Sequence, residues 1–199
     1  MDVTQERLST GKKVNSAIDN ASSFYQARSL TNRASDLDAL LDGMGQGIQT
    51  IQAANEGIEA VTSFVEQMKS VAESAAALDA ASATYDDDLA AYAKQFDAIK
   101  GEIDKLVADA SYQGVNLLKG GKLTVTFNET RSNKFDIQGE DVVAKMGIAK
   151  ATGTWASATE VEASVGEISK ATDYLRSYAT TLGNNYSIIE TRQNFTESL

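Results

Sequence analysis

The 199-residue chain contains no cysteine, no histidine and no proline. Without cysteine there is no disulfide framework, no thiolate nucleophile and no cysteine zinc knuckle; without histidine the commonest general base and metal ligand are missing. Most catalytic schemes go with them, and the chain reads as a non-enzyme with no cofactor and no metal site. Positive charge is also short, 18 Lys and Arg against 28 Asp and Glu, a net charge of -10. Such a surface repels phosphate backbones and anionic lipid, which argues against nucleic acid and membranes as partners. No apolar run approaches the ~20 residues that a membrane helix needs. Met1 to Arg7 lacks the basic stretch and apolar core of a secretory signal, so any export is expected to take another route.

With no proline to interrupt them, apolar residues recur at alternating steps of three and four, the period of helices packed along a narrow seam. From Leu37 the stripe runs through Leu41, Met44, Ile48 and Ile51, has Asn55 in the next slot, and continues through Ile58, Val61, Val65, Met68, Ala72 and Ala75. A helix from about Ser35 to Leu78 is expected, on the order of 65 Å long at ~1.5 Å per residue. Gly43, Gly45, Gly47 and Gly57 each cost roughly 1 kcal/mol against Ala in a helix, which implies close packing by a neighbour or locally weak helix. A second stripe, Tyr85, Leu89, Tyr92, Phe96, Ile99, Ile103, Leu106 and Ala110, should lie antiparallel along the first, across an Ala- and Asp-rich turn at 75–84. A third, Val161, Val165, Ile168, Thr172, Leu175, Ala179, Leu182, Tyr186 and Ile189, completes the seam.

Residues 119–155 change character. Lys122 to Phe127 and Lys134 to Gln138 alternate polar and apolar residues around an Asn-, Thr- and Ser-rich turn, the pattern of a β-hairpin. The stretch Gly139 to Trp155 reads as a turn of helix followed by extended chain. The expected fold class is mainly α: an elongated bundle of long coiled-coil-like helices with a small β-hairpin region. Its parts are an N-terminal connector and start of the rod (1–34), two long antiparallel rod helices (35–118), the hairpin region (119–157) and a C-terminal rod helix (158–199), all one elongated domain.

The motifs that suggest chemistry are better read as structure. Asp86, Asp87 and Asp88 at a helix start complement the helix dipole, and no Asp-x-Asp-x-Asp-Gly loop with a distal Glu accompanies them. Glu102 and Asp104, two apart on a helix, point to different sides and cannot form an acid/base dyad. The glycines at 43, 45 and 47 lack the strand and lysine of a phosphate loop. Asn128-Glu129-Thr130 and Asn194-Phe195-Thr196 match the glycosylation pattern, which occurs often by chance. Trp155, the one tryptophan, has no aromatic cage and reads as a packing residue.

Glu6-Arg7-Leu8-Ser9-Thr10-Gly11-Lys12-Lys13-Val14-Asn15-Ser16-Ala17-Ile18-Asp19-Asn20-Ala21 resembles the N-terminal signature of bacterial flagellins, E-R-L-S-[ST]-G-x-[KR]-[IV]-N-[SR]-A-x-D-[DN]-A, with Arg7, Leu8, Gly11, Asn15 and Asp19 among the matches. A second block, from Glu102, Ile103 and Asp104 through Gly114 to Leu118, is similar to the family's E-I-D-R-[IL]-A-x-x-[ST]-x-F-N-G-x-x-L-L, with Tyr112 and Gln113 in place of Phe and Asn. Leu182, Gly183 and Asn185 match the C-terminal helix more loosely. The resemblance implies a structural subunit of the bacterial flagellar filament, self-assembling by helix packing for swimming motility, trimmed at both termini and lacking outer variable domains. The alternative is a hook-associated protein of the hook–filament junction, whose termini resemble flagellin.

The resemblance further implies an extracellular, secreted protein of the bacterial flagellum. Its partners would be other flagellin subunits in a homopolymer, the flagellar export machinery and an export chaperone. An innate immune flagellin receptor grips the first rod helix of recognised members through a stretch like Q-R-V-R-E-L-A. Here that stretch is Glu66-Gln67-Met68-Lys69-Ser70-Val71-Ala72, so Gln67, Met68 and Val71 mark the possible receptor contact region. Gln67 stands where those members carry the first arginine, and weak detection is expected.

Overall fold

A computed structural model describes Leu8, Ser9, Gly11 and residues 20–199. Its elements in chain order are α1 (Ala21–Ala76), α2 (Tyr85–Asp109), β1 (Lys122–Thr126), β2 (Lys134–Gln138), α3 (Val142–Met146) and α4 (Ala158–Glu197). The long helices carry the fold: α1 has 56 residues, about 84 Å at ~1.5 Å per residue, and both α2 and α4 pack along it.

α1 starts at Ala21, earlier than the apolar stripe implies. The Asn20 side chain accepts a hydrogen bond from the Ser23 N–H at 3.0 Å, capping the helix, and residues 21–36 contain neither Gly nor Pro. The stripe marks where burial begins, not where the helix begins. From Met44 onward the seam is as spaced: Met44, Ile51, Ile58, Val61, Val65, Met68, Ala72 and Ala75 are buried. Ahead of it Leu40 enters the core while Leu37 and Leu41 are half-buried, and within the seam Ile48 is only half-buried. Asn55 sits half-buried in the stripe, and its Oδ1 is buried without a hydrogen-bond partner.

The other two helices bury wider faces than a strict heptad does. In α2, Ala93 and Val107 are buried while Tyr92, Ile99 and Leu106 lie half out. In α4, Ser164, Ala171 and Tyr178 enter the core, and Val165, Thr172, Ala179 and Tyr186 flank it. Each helix meets more than one neighbour, so its apolar arc broadens beyond two positions per heptad.

β1 and β2 pair antiparallel, Leu123 opposite Ile137 and Val125 opposite Phe135. Val125 and Ile137 are buried, and on the outer face the Thr124 hydroxyl donates to Asp136 at 2.6 Å. The hairpin lies on α1 because α1 has no side chain there: a Cβ on Gly47 would stand 2.8 Å from Val125 Cγ2. One on Gly57 would stand 2.7 Å from Leu118 Cδ1. Gly43 and Gly45 face open space, so of the four glycines two serve close packing and two do not.

A tight turn precedes the hairpin. Tyr112 and Val115 exchange both backbone hydrogen bonds, at 3.0 and 2.9 Å, with Gln113 at φ 47° and Gly114 at φ 80° between them. Two positive φ values identify a type I′ turn, which favours Asn-Gly. Gln113 therefore occupies a left-handed position that the family's Asn fits better.

α3 is the turn of helix anticipated after Gly139, capped by Asp141 Oδ1, which accepts the Ala144 N–H at 3.1 Å, and closed by Gly147 at φ 63°. Residues 147–157 then cross to the start of α4 as an extended strap, in which Trp155 is buried with its ring 5.0 Å from that of Phe96. Its indole N–H donates to Ser164 Oγ at 2.9 Å, so Trp155 is a packing residue with its polar atom satisfied.

Candidate functional site

The residues singled out for chemistry are dispersed over the rod. Asp86, Asp87 and Asp88 form the exposed first turn of α2, where the Thr84 hydroxyl donates to Asp88 Oδ2 at 2.8 Å. Glu102 and Asp104 belong to separate surface ion pairs, with Lys105 at 2.8 Å and Lys100 at 3.9 Å. Between them Ile103 turns into the core, only 1 % exposed. One block of three consecutive residues thus divides into two solvent-facing charges and a core anchor, as the 100° step per residue dictates. Among the described residues no three Asp or Glu side chains converge to hold a metal ion. No described helix is long and apolar enough to cross a membrane.

Of the N-terminal signature, Arg7, Asn15 and Asp19 lie outside the described residues; Leu8 is exposed and Gly11 has φ 64°. Gly114 supplies the second left-handed position of the type I′ turn. In the possible receptor region Gln67 is exposed, Val71 is half-buried and Met68 is fully buried. Met68 is a core residue of α1 and offers no surface to a partner, because steps of three and four from Val65 to Ala72 place it on the seam.

Asn128, within a glycosylation match, is committed to the hairpin turn. Its Nδ2 donates to Thr130 Oγ1 and Ser132 Oγ, both at 2.8 Å, and its Oδ1 accepts the Asn133 N–H at 2.8 Å. The turn is tied to α1 by Arg33 Nε, 3.0 Å from Glu129 Oε1, and to α4 by Arg192, whose guanidinium lies 5.4 Å from the Phe127 ring centre.

A tyrosine pair fastens the connection between α2 and the hairpin onto α4. Tyr178 donates its hydroxyl proton to the Leu117 carbonyl at 2.8 Å and accepts the Glu140 N–H at 3.2 Å; Tyr174 donates to Glu140 Oε2 at 2.8 Å. Burial first, then the hydrogen bond to Glu140, pushes the Tyr174 hydroxyl well above the usual phenol range, and burial raises that of Tyr178. Both remain protonated donors, which suits a structural latch and not a proton-transfer group.

Beyond Leu8, the exposed large apolar side chains among the described residues stand on the opening turns of α1 and the closing turns of α4. Tyr25 and Leu30 stand on the first turns of α1, which run beyond the last turn of α4; Ile188, Phe195 and Leu199 stand on or just after those last turns. Sequence spacing alone misses this patch, because each of these residues falls outside the seam and only the fold brings them to one end.

Comparison with known proteins accounts for the shape. Residues 1–122 match the family described as the bacterial flagellin N-terminal helical region. Flagellin FljK of Caulobacter vibrioides is 24 % identical over 201 residues, covering 100 % of this chain and 72 % of the relative. A flagellin of Listeria monocytogenes is 23 % identical over 164 residues, covering 81 % of this chain and 56 % of the relative. The crystal structure of Bacillus cereus flagellin aligns with a TM-score of 0.64 at 14 % identity, over 76 % of this chain and 86 % of that one.

Proposed function

Because the chain belongs to the bacterial flagellin family, whose members are structural subunits of the flagellar filament, we propose that the apolar hairpin end of the rod is a surface through which its subunits pack. The observation that carries this is the exposure of Tyr25, Leu30, Ile188, Phe195 and Leu199 on the first turns of α1 and the last turns of α4. Large apolar side chains left exposed on an acidic protein mark an interaction surface. Residues 1–34 then serve as a connector and the start of the rod, 35–118 as the two long rod helices, 119–157 as the hairpin region and 158–199 as the closing helix. Nothing favours the hook-associated alternative.

Co-sedimentation with filament fragments tests the patch. The chain is expected to pellet with them and Phe195→Asp to remain in the supernatant, while circular dichroism stays unchanged because Phe195 is 55 % exposed. Equal pelleting of the two proteins would remove the apolar end from the assembly surface.

The same reading places the protein outside the cell, delivered by the flagellar export machinery with an export chaperone, and makes it a weak ligand of the innate immune flagellin receptor. Gln67 is exposed on α1 and offers a neutral amide where recognised members carry a five-donor guanidinium. Gln67→Arg is expected to strengthen receptor binding by roughly 1.5 to 3 kcal/mol, about tenfold to a hundredfold, in a titration of the two proteins side by side. Equal affinities would show that this position does not govern recognition.

A further inference from the structure

We propose that the strap, residues 147–157, is an acid-released clasp: two carboxylates, Asp97 of α2 and Glu167 of α4, hold it down, and it opens as a unit when Asp97 is protonated while the long helices stay paired. The attachments of its backbone N–H groups to other elements are few and of one kind, and the side chains of Trp155 and Ser157 add bonds to Ser164 and Glu160 of α4. Asp97 Oδ1 accepts the Ala151 N–H at 2.7 Å, Asp97 Oδ2 accepts the Thr152 N–H at 3.0 Å, and Glu167 Oε2 accepts the Ala149 N–H at 2.9 Å. The strap's own backbone bonds, from Thr154 and Trp155 to the Ala151 carbonyl, close a turn within it and tie it to nothing else. Ile148, Ala151 and Trp155 are the side chains it buries, and Trp155 covers the fully buried Phe96.

Protonation acts directly on this arrangement. An ionised carboxylate is an acceptor at both oxygens, whereas a carboxylic acid turns one oxygen into a donor. Asp97 faces an N–H with each oxygen, so its protonated form confronts one of them donor to donor.

The charges around Asp97 are Lys150 on the strap, Lys94 and Lys100 one turn to either side on α2, and Glu167 on α4. Lys145 of α3 is exposed, and α1 turns its apolar seam inward with Glu59, Glu66 and Lys69 exposed. Burial pushes the Asp97 carboxyl up, but the hydrogen bonds from Thr152 and Ala151 and the charge of Lys150 outweigh it and hold the group below its ordinary 3.8. A group depressed on folding contributes stability above its unfolded value and loses it as pH falls through the folded one. The clasp is therefore closed at neutral pH and released only in acid, as pH falls below the ordinary Asp range.

Trp155 is the chain's one tryptophan, so its emission reports the strap while far-ultraviolet circular dichroism reports the helices. Asp97→Asn places an amide NH2 against one of the two N–H groups and imitates the protonated form at pH 7. The expected result is red-shifted emission and on the order of tenfold or faster hydrogen exchange at Ala151 and Thr152, the loss of a charge-assisted hydrogen bond, with helix content retained. Glu167→Gln should do the same more weakly at Ala149. In an acid titration of the unaltered protein, emission should change before the helix signal. Unchanged emission and protection in Asp97→Asn would overturn the proposal. So would emission and helix signal lost at one common midpoint in the titration, which decides the matter even where the Asp97 variant does not fold.

Discussion

Ile103→Asp is expected to unfold the rod. Ile103 is 1 % exposed on the buried face of α2, so the substitution removes a branched apolar side chain and places a carboxylate in the apolar core. Losing the packing of a buried Ile costs about 2 to 5 kcal/mol, and burying an unpaired polar or charged group adds several more. Against a total stability of ~5 to 15 kcal/mol the sum is comparable with the whole. Circular dichroism at room temperature should show most of the helix signal gone, or a thermal midpoint lowered by tens of degrees. A midpoint that hardly moves would mean that Ile103 does not face the seam. Glu102→Ala and Asp104→Ala, its two exposed neighbours, should shift the midpoint little, since each removes only a surface ion pair.

Gly139→Ala should be nearly as damaging for a different reason. A Cβ there would press on the Leu117 carbonyl oxygen and stand 2.6 Å from the Gly121 oxygen and 2.7 Å from Leu117 Cα, all of them backbone. A flexible side chain could swing aside; a backbone carbonyl must carry its hydrogen bonds with it. The Gly121 oxygen accepts the Gly139 N–H at 2.8 Å, and the Leu117 oxygen accepts both the Glu140 N–H at 3.0 Å and the Tyr178 hydroxyl at 2.8 Å. Overpacking of this kind costs about 1 to 3 kcal/mol, and each displaced hydrogen bond about 1 more. A loss of some 3 to 5 kcal/mol should appear as a lower urea midpoint. Gly43→Ala, on the open face of α1, is the contrast: with nothing within 4 Å of its Cβ it should stabilise by about 0.5 to 1 kcal/mol. If both substitutions moved the midpoint alike, the crowding at Gly139 would not be what matters.

The two residues also show which parts of the fold the sequence discloses. Ile103 was legible because it repeats with its neighbours at helical spacing, and a period is local information. The same holds for the seam from Met44 to Ala75 and for the alternation in β1 and β2. What the period misjudged was the width of the buried face: Ala93 and Val107 replace Tyr92 and Leu106 because α2 is enclosed from more than one side. The start of α1 was hidden because a cap and a run free of Gly and Pro carry it past its last apolar contact.

Nothing local marks Gly139 as crowded. Its neighbours come from Leu117 and Gly121, and the crowding exists only once the hairpin has closed. The same applies to Asp97, whose partners are 54 and 55 residues away, and to Arg33, which meets Glu129 across 96. The Gln67 stretch was found by resemblance; burial then divided it, leaving Gln67 outward and Met68 inward.

Gly47 and Gly57 work together as an axial gauge. They are ten residues apart, about 15 Å along α1 at ~1.5 Å per residue, and they receive Val125 of the hairpin and Leu118 of the chain leading into it. These two notches have to be filled at once. Sliding the hairpin by one helical turn would drive Leu118 against Ala54 or Val61, and a slide toward Ile51 would drive Val125 against it as well, where side chains already occupy the groove. The hairpin can therefore seat at one height on the rod and no other. Any length change between residues 118 and 125 alters the distance between its two pegs while the notches stay fixed, so this short segment has an exact measure that the surface turn at 128–133 does not share.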